Sequence, residues 1–495
     1  MPRTLRILSI FLVVTSLLGF TPTYAADKWL SIHSKNFLLV GNASESSMRR
    51  VGRNLEEFRA GFSMLFPSIS QQAPPPITVV VFKDDASFRP YKPLYQGKPA
   101  NVAGFFQAGQ DVNFIALTAD TPTPHVIYHE FVHSLTKDGA VQLPVWTSEG
   151  LAEFYGMFEI EPNGKEMMVG RPMDEHVFTL RQTFMPVETL FAVKPGSPYY
   201  NEQQKQGIFY AESWAVVHYL MLGNNRQRQP QLVKFLASLG TGKSIDESFR
   251  EAFQTDYATF ENELRDYIGR LAFPVIRYKL QDKIDFDREM RVSPLPEAQA
   301  QYYIGDLLLH INRLDTAEAQ LQKAISLDPT FAPSYASMGM LRVRQNKHED
   351  ALKFLTQAVQ ADSKDFMAHY YYAYMLQTVG ADSSSGSDQS RYDLMRQHLK
   401  KAIELSPDYL NAYGMLGYVS LMLHEELPQT EELLKKALNS APGQKDIRMR
   451  LAEVMIANKE VLAARAIVRP LALSEDEAMK RQAQSLLAYP TSHST

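Results

Sequence analysis

The chain contains no cysteine. That excludes disulfides and a lipid-modified cysteine, so the fold must rest on its hydrophobic cores. At 495 residues there is enough chain to bury them. It also lacks a lysine-rich block: 51 basic and 55 acidic residues are interspersed, leaving a net charge of −4 and a pI near 6.3. Nucleic acid is therefore not an expected partner. Beyond Phe20 no apolar run reaches the ~20 residues needed to cross a bilayer.

The one strongly apolar stretch, Ile7 to Phe20, follows Arg3 and Arg6 and precedes Thr23-Tyr24-Ala25. A basic start, a 14-residue apolar run and small residues before Ala26 read as a secretory signal. The competing use of the segment is an uncleaved anchor. The expectation is an exported protein, periplasmic or secreted, with no stable membrane span after signal cleavage. The missing cysteines favour a bacterial periplasm. Asn42-Ala43-Ser44 is a formal glycosylation sequon, idle in such a host.

The most informative residues are His129-Glu130-Phe131-Val132-His133 and Leu143-Pro144-Val145-Trp146-Thr147-Ser148-Glu149-Gly150-Leu151-Ala152-Glu153. Four positions apart on a helix, His129 and His133 project from one face and can reach one metal ion. Glu149, 16 residues after His133, offers a third ligand and leaves a fourth position open, the arrangement of a catalytic zinc. Two imidazoles and a carboxylate suit one zinc ion per chain. Glu153, four positions after Glu149, can accept the remaining ring N–H of a ligand histidine and so fix its orientation. Glu130 is placed to act as general base on water, whose pKa zinc lowers to about 7. The competing reading is two surface histidines on an ordinary helix.

These two segments resemble the gluzincin metallopeptidases, and most closely the peptidase MA-like group, whose second element commonly reads P-x-W-x-x-E-G-x-A-E. The resemblance implies zinc ligands His129, His133 and Glu149, general base Glu130, and a peptide or protein substrate. It covers roughly residues 27 to 285, with specific motifs only between 129 and 153. Ser148 departs from the thermolysin-like pattern, which carries Asn before the ligand Glu. The G-x-M-E-N motif of the aminopeptidase branch is missing, so aminopeptidase activity is not expected.

The tetrahedral intermediate of peptide hydrolysis needs a positioned donor. Tyr210, 61 residues after Glu149, is the candidate, because a helix here aligns Tyr210, Ser213, Trp214 and Val217. Gluzincins often carry a tyrosine downstream of the third ligand. An aromatic core stripe is the competing reading of these residues. His218, one turn beyond Trp214, is expected to be a satisfied or surface histidine rather than a second electrophile. His125, four before His129, could extend the histidine face by one turn, but at the start of the helix it is expected to cap it or face solvent.

Around the motif, Asn36 to Val40, Ile77 to Phe82 and Val112 to Leu117 read as strands, and Ser47 to Phe66 as an amphipathic helix. Residues 112 to 117 are the nearest strand in sequence to the substrate-binding edge that gluzincins place along their cleft. An internal strand is the alternative. Downstream the pattern is mostly helical to about residue 280, with a break at Pro195-Gly196-Ser197-Pro198.

From about residue 297 the chain repeats itself. Gln322 to Pro329 returns near Thr356, Lys400 and Lys435, at steps of 34, 44 and 35 residues. The polar run Ser383 to Asp388 accounts for the long step as a loop. Small residues recur at Gly305, Gly339, Ala373 and Gly417. This resembles the tetratricopeptide repeat, a helix pair per unit stacked into a solenoid that binds a protein partner.

The expected organisation is a signal peptide (1–25), a gluzincin-like zinc peptidase domain (26–285), tetratricopeptide repeats (286–480; four clear, a fifth degenerate) and a polar tail (481–495). The expected fold class is an α+β metallopeptidase domain followed by an all-α solenoid. The leading functional expectation is an exported zinc-dependent peptidase with a repeat module for protein–protein interaction. The alternative is a periplasmic repeat scaffold whose peptidase-like domain binds metal without turnover.

Overall fold

The computed structural model describes residues 28–65, 77–109, 111–120, 125–136, 143–161, 164–201, 203–280, 286–361, 364–380, 388–474 and 476–490. The expected signal, most of the 383–388 loop and the last five residues lie outside the described residues.

Strands β1 (Leu30–His33), β2 (Phe37–Gly41), β3 (Ile77–Phe82), β4 (Gly104–Gln107) and β5 (Asn113–Thr118) join a strand near residue 291 in one sheet. β2, β3 and β5 run parallel, and every residue of β3 and β5 is buried. Central parallel strands covered on both faces need such apolar runs. Alternation sorts the side chains. Ile77, Val79 and Val81 enter one core with Ile115 and Leu117, while Val80 and Phe82 enter a second with Phe114 and Ala116. β4 pairs antiparallel to β5 at the edge of the sheet. The strand at 113–118 is thus internal, and the edge next to the motif helix belongs to Gly104–Gln107 instead.

The first core is filled by helices. α1 (Glu45–Leu65) presents Met48, Leu55, Phe58 and Phe62 to it. α2 (His125–Thr136) carries the first motif and α3 (Val145–Gly156) the second. Beyond them the chain is not wholly helical. β6 (Glu159–Ile160), β7 (Glu166–Val169) and a strand at Ile276–Lys279 form a small antiparallel sheet. α4 (Asp174–Gln182) and α5 (Gln203–Leu222) pack together beside α3. The expected boundary at 285–286 falls before the end of the sheet domain. Arg291–Pro294 pairs antiparallel with β1 and completes the six strands.

Five helix pairs follow: Glu297–His310 with Leu314–Leu327, Ala332–Arg344 with His348–Gln360, Phe366–Gly380 with Asp388–Leu405, Leu410–Leu423 with Leu427–Ser440, and Lys445–Ala457 with Val461–Val468. The recurring glycines mark close helix approach. A Cβ on Gly305 would stand 2.8 Å from Leu321 Cγ, and one on Gly339 2.5 Å from Leu355 Cγ. The tail expected from residue 481 is not irregular as far as Leu487. Glu477–Leu487 is a helix capped by Asp476, and its Ala483 and Leu486 close the last hydrophobic cluster. Among the described residues no helix is long and apolar enough to cross a membrane.

The second face of the sheet is covered by the first repeat, where Leu295, Ala300 and Leu307 meet Val40, Val80 and Phe114. Within this junction His310 Nε2 lies 3.1 Å from Asp111 Oδ1, both residues buried.

Candidate metal centre

α2 divides its residues between core and site by helical geometry. Ile127, Tyr128, Phe131 and Val132 are buried, with the Tyr128 ring stacked on Phe58 at 4.2 Å. His125, His129 and His133, four apart, share the opposite face. α3 crosses this face and brings Glu149 and Glu153 beneath the histidines. Its close fit against α5 depends on Gly150, where a Cβ would stand 2.3 Å from the Ser213 carbonyl oxygen.

Three donor atoms converge. His129 Nε2 and His133 Nε2 are 3.1 Å apart, and each lies 3.2 Å from Glu149 Oε2. Among the described residues this trio is the group of three able to hold a metal ion. A tetrahedral ion with bonds of about 2.0–2.1 Å sets its donors roughly 3.3 Å apart, so the trio fits zinc in spacing and in chemistry.

Each donor is braced from behind. His129 Nδ1 lies 3.2 Å from Glu153 Oε1, and His133 Nδ1 3.1 Å from Ser148 Oγ. Tyr200 donates its hydroxyl to Glu149 Oε1 at 2.9 Å. Ser148, the departure from the thermolysin-like pattern, therefore serves the second histidine. Glu153 Oε2 also pairs with His176 Nε2 in a hydrogen bond of 3.1 Å, and His125 Nε2 lies 3.2 Å from the same oxygen without hydrogen-bond geometry. His125 is thus neither a cap nor a solvent-facing residue: it turns inward to this carboxylate.

The electrostatics favour positive charge at the centre. Burial works against ionised Glu149, but hydrogen bonds from His129 and His133 outweigh it and bring its pKa down to about 2. Burial likewise opposes ionised Glu153, yet its contacts with His125, His129 and His176 hold it well below the usual range. For His129, burial opposes the cation, while Glu149 and Glu153 prevail and raise the pKa to about 10. Two buried carboxylates facing two imidazoles call for cationic charge, which protons or a divalent ion can supply.

Glu130 is half-buried and lines an open cleft of about 440 Å³ together with His129 and Tyr210. The Tyr210 ring centre is 6.0 Å from that of His129. Burial, then the charges of Glu149 and Glu130, push the Tyr210 hydroxyl well above its ordinary pKa, so it remains a donor. Its stripe partners Ser213, Trp214 and Val217 are fully buried, so the stripe is core except at Tyr210. His218 sits in that core: its Nε2–H donates to Gly170 O and its Nδ1 accepts from Tyr267, each at 2.8 Å. Tyr200 and His176 were not legible from the sequence, since no motif spacing ties either to the two helices.

Residues 286–330 and 421–488 match the tetratricopeptide-repeat family, and residues 331–442 match the family described as Regulator of microtubule dynamics protein 1-3. The C-terminal part of the chain is therefore built of tetratricopeptide repeats, a protein-interaction module. Hsp70-Hsp90 organizing protein 2 of Arabidopsis thaliana is 22% identical over 165 residues, 33% of this chain and 27% of that protein. Type IV pilus assembly protein PilF of Pseudomonas aeruginosa is 25% identical over 167 residues, 33% of this chain and 62% of that one. The chain thus spans about a quarter and about three-fifths of these curated relatives. A crystal structure of a thermophilic TPR protein from Thermus thermophilus aligns over 39% of this chain and all of its own, at 18% identity and a TM-score of 0.31.

Proposed function

We propose that this chain is an exported protein-binding repeat scaffold whose N-terminal domain holds one zinc ion on His129, His133 and Glu149. The observation that carries the metal reading is the 3.1–3.2 Å spacing of three braced donor atoms on two packed helices. The scaffold reading rests on the repeats, whose relatives include proteins named for organising and assembling others. Export rests on the pattern of residues 1–25.

A second reading, turnover of a peptide or protein substrate, is favoured by one specific observation. Glu130 stands between the two ligand histidines and lines the same cleft as Tyr210. Zinc bound here would supply a Lewis acid that brings the pKa of water towards neutrality. Glu130 would accept a proton from water in the cleft and deliver it to the leaving amine. Tyr210 would hold its hydroxyl towards the oxygen that gains charge. On this reading the domain is a gluzincin-like peptidase and the repeats bring its substrate.

The two readings separate on cleavage of an unfolded protein such as casein by the zinc-loaded chain. Cleavage that falls about 10²–10⁴-fold in Glu130→Gln, with zinc retained, establishes turnover. Equal, background-level cleavage by both proteins leaves the scaffold reading and removes the peptidase.

A further inference from the structure

Glu153 is gripped more heavily than bracing one ligand requires. Its Oε1 is committed to His129 Nδ1 at 3.2 Å, while Oε2 lies between His125 Nε2 and His176 Nε2, at 3.2 and 3.1 Å. The terminal torsion of a glutamate is broad and nearly two-fold, so a carboxylate held at one oxygen can still swing. The hydrogen bond from His176 to the other oxygen removes that freedom, with the His125 ring close beside it.

The two extra histidines come from different places. His125 stands one turn before His129 on α2 and moves with the ligand it supports. His176 belongs to α4, which packs on α5 and follows Glu153 by 23 residues, past β6 and β7. Its ring lies 6.0 Å from that of Trp214, a fully buried residue of α5. Both histidine side chains are largely shielded, at 18% and 13% exposure.

We infer that His176 is a positioning residue that ties the metal centre to α4 and, through it, to α5. Acting through Glu153, it fixes the His129 ring and so sets zinc affinity. This rests on the zinc reading of the preceding section. His176 stands outside the three ligand atoms, and its hold on the metal site passes through the Glu153 carboxylate. Groups bonded directly to a ligand, as Glu153 is to His129, typically govern metal affinity by about 10–100-fold, which bounds what His176 can exert through Glu153.

The test is zinc affinity by competition with a chromogenic chelator, measured on the full chain and on His176→Leu, His176→Gln, His176→Asn and Glu149→Ala. Thermal unfolding in excess chelator establishes that each variant is folded. The expected result is a roughly 10–100-fold weaker affinity in His176→Leu, with most of it recovered in His176→Gln, whose longer amide can still donate to Glu153. If His176→Leu does not fold, the order of His176→Gln above the shorter His176→Asn decides instead. Wild-type affinity in His176→Leu or in His176→Asn, alongside weakened binding in Glu149→Ala, overturns this inference alone. Wild-type affinity in Glu149→Ala overturns the zinc reading beneath it.

Discussion

At the scale of single residues, the same side chain behaves differently according to what faces it. His129 meets two carboxylates, which raise its pKa, whereas His218 meets a carbonyl and a tyrosine hydroxyl in a buried core, which lowers its own. Burial lowers the His218 pKa from 6.5 to about 4, with the hydrogen bond to Gly170 only partly opposing it. A depressed histidine contributes stability above pH 6.5 that is lost as pH falls towards 4. Nuclear magnetic resonance of labelled histidines should find His218 neutral down to about that pH, and titration near 6.5 would contradict the buried assignment. The pairing of His129 with His133, and of Glu149 with Glu153, follows from helical spacing, which puts positions four apart on one face; that the two pairs meet does not. Tyr200, His176 and the inward turn of His125 were not legible, because their roles depend on where separate elements dock. Tyr210 shows the limit: periodicity placed it on a stripe, but only packing shows that the stripe ends at the cleft.

At the scale of elements, length and apolar continuity decided what the sequence revealed. β3 and β5 are runs that must be central, and α1 has an unbroken apolar stripe; all three fall close to their expected positions. β7 is only Glu166–Val169 and the strand at Arg291–Pro294 carries a proline, so neither announces itself as a strand. Both become strands through a partner distant in sequence, as pairing of Ile276 with Val169 and Leu30 with Pro294 shows. The final helix was missed because its solvent-facing residues dominate its composition, while Ala483 and Leu486 supply its small buried face. Within the repeats the glycine positions make a direct prediction. Gly339→Ala places a Cβ against Leu355 and should destabilise the protein by about 1–3 kcal/mol in urea unfolding. Gly196→Ala, with open space around it, should change stability little. Equal effects of the two substitutions would contradict the packing described for the helix pairs.

At the scale of the whole molecule, the sheet is the shared wall between the N-terminal domain and the solenoid, with a buried polar pair set into the junction. Burial opposes the His310 cation, but the Asp306 charge and the Asp111 hydrogen bond raise its pKa to about 9. Stability from this pair is fully present below pH 6.5 and is lost as pH rises through about 9, on the order of 3 kcal/mol. Burial also raises the Asp306 carboxyl, which acts in the same direction, whereas Asp111 is lowered and acts oppositely at acid pH. His310→Leu should cost about 3–5 kcal/mol by stranding buried carboxylates, and should flatten the fall in urea stability between pH 6.5 and 9. A variant with the wild-type slope would move the origin of that fall elsewhere. The account of the molecule nevertheless turns on the proposed zinc site. The most direct measurement is elemental zinc in the purified, zinc-loaded full chain beside Glu149→Ala. About one zinc per chain, lost or much reduced in the variant, is the predicted result. A wild-type chain that holds no zinc after loading would contradict it.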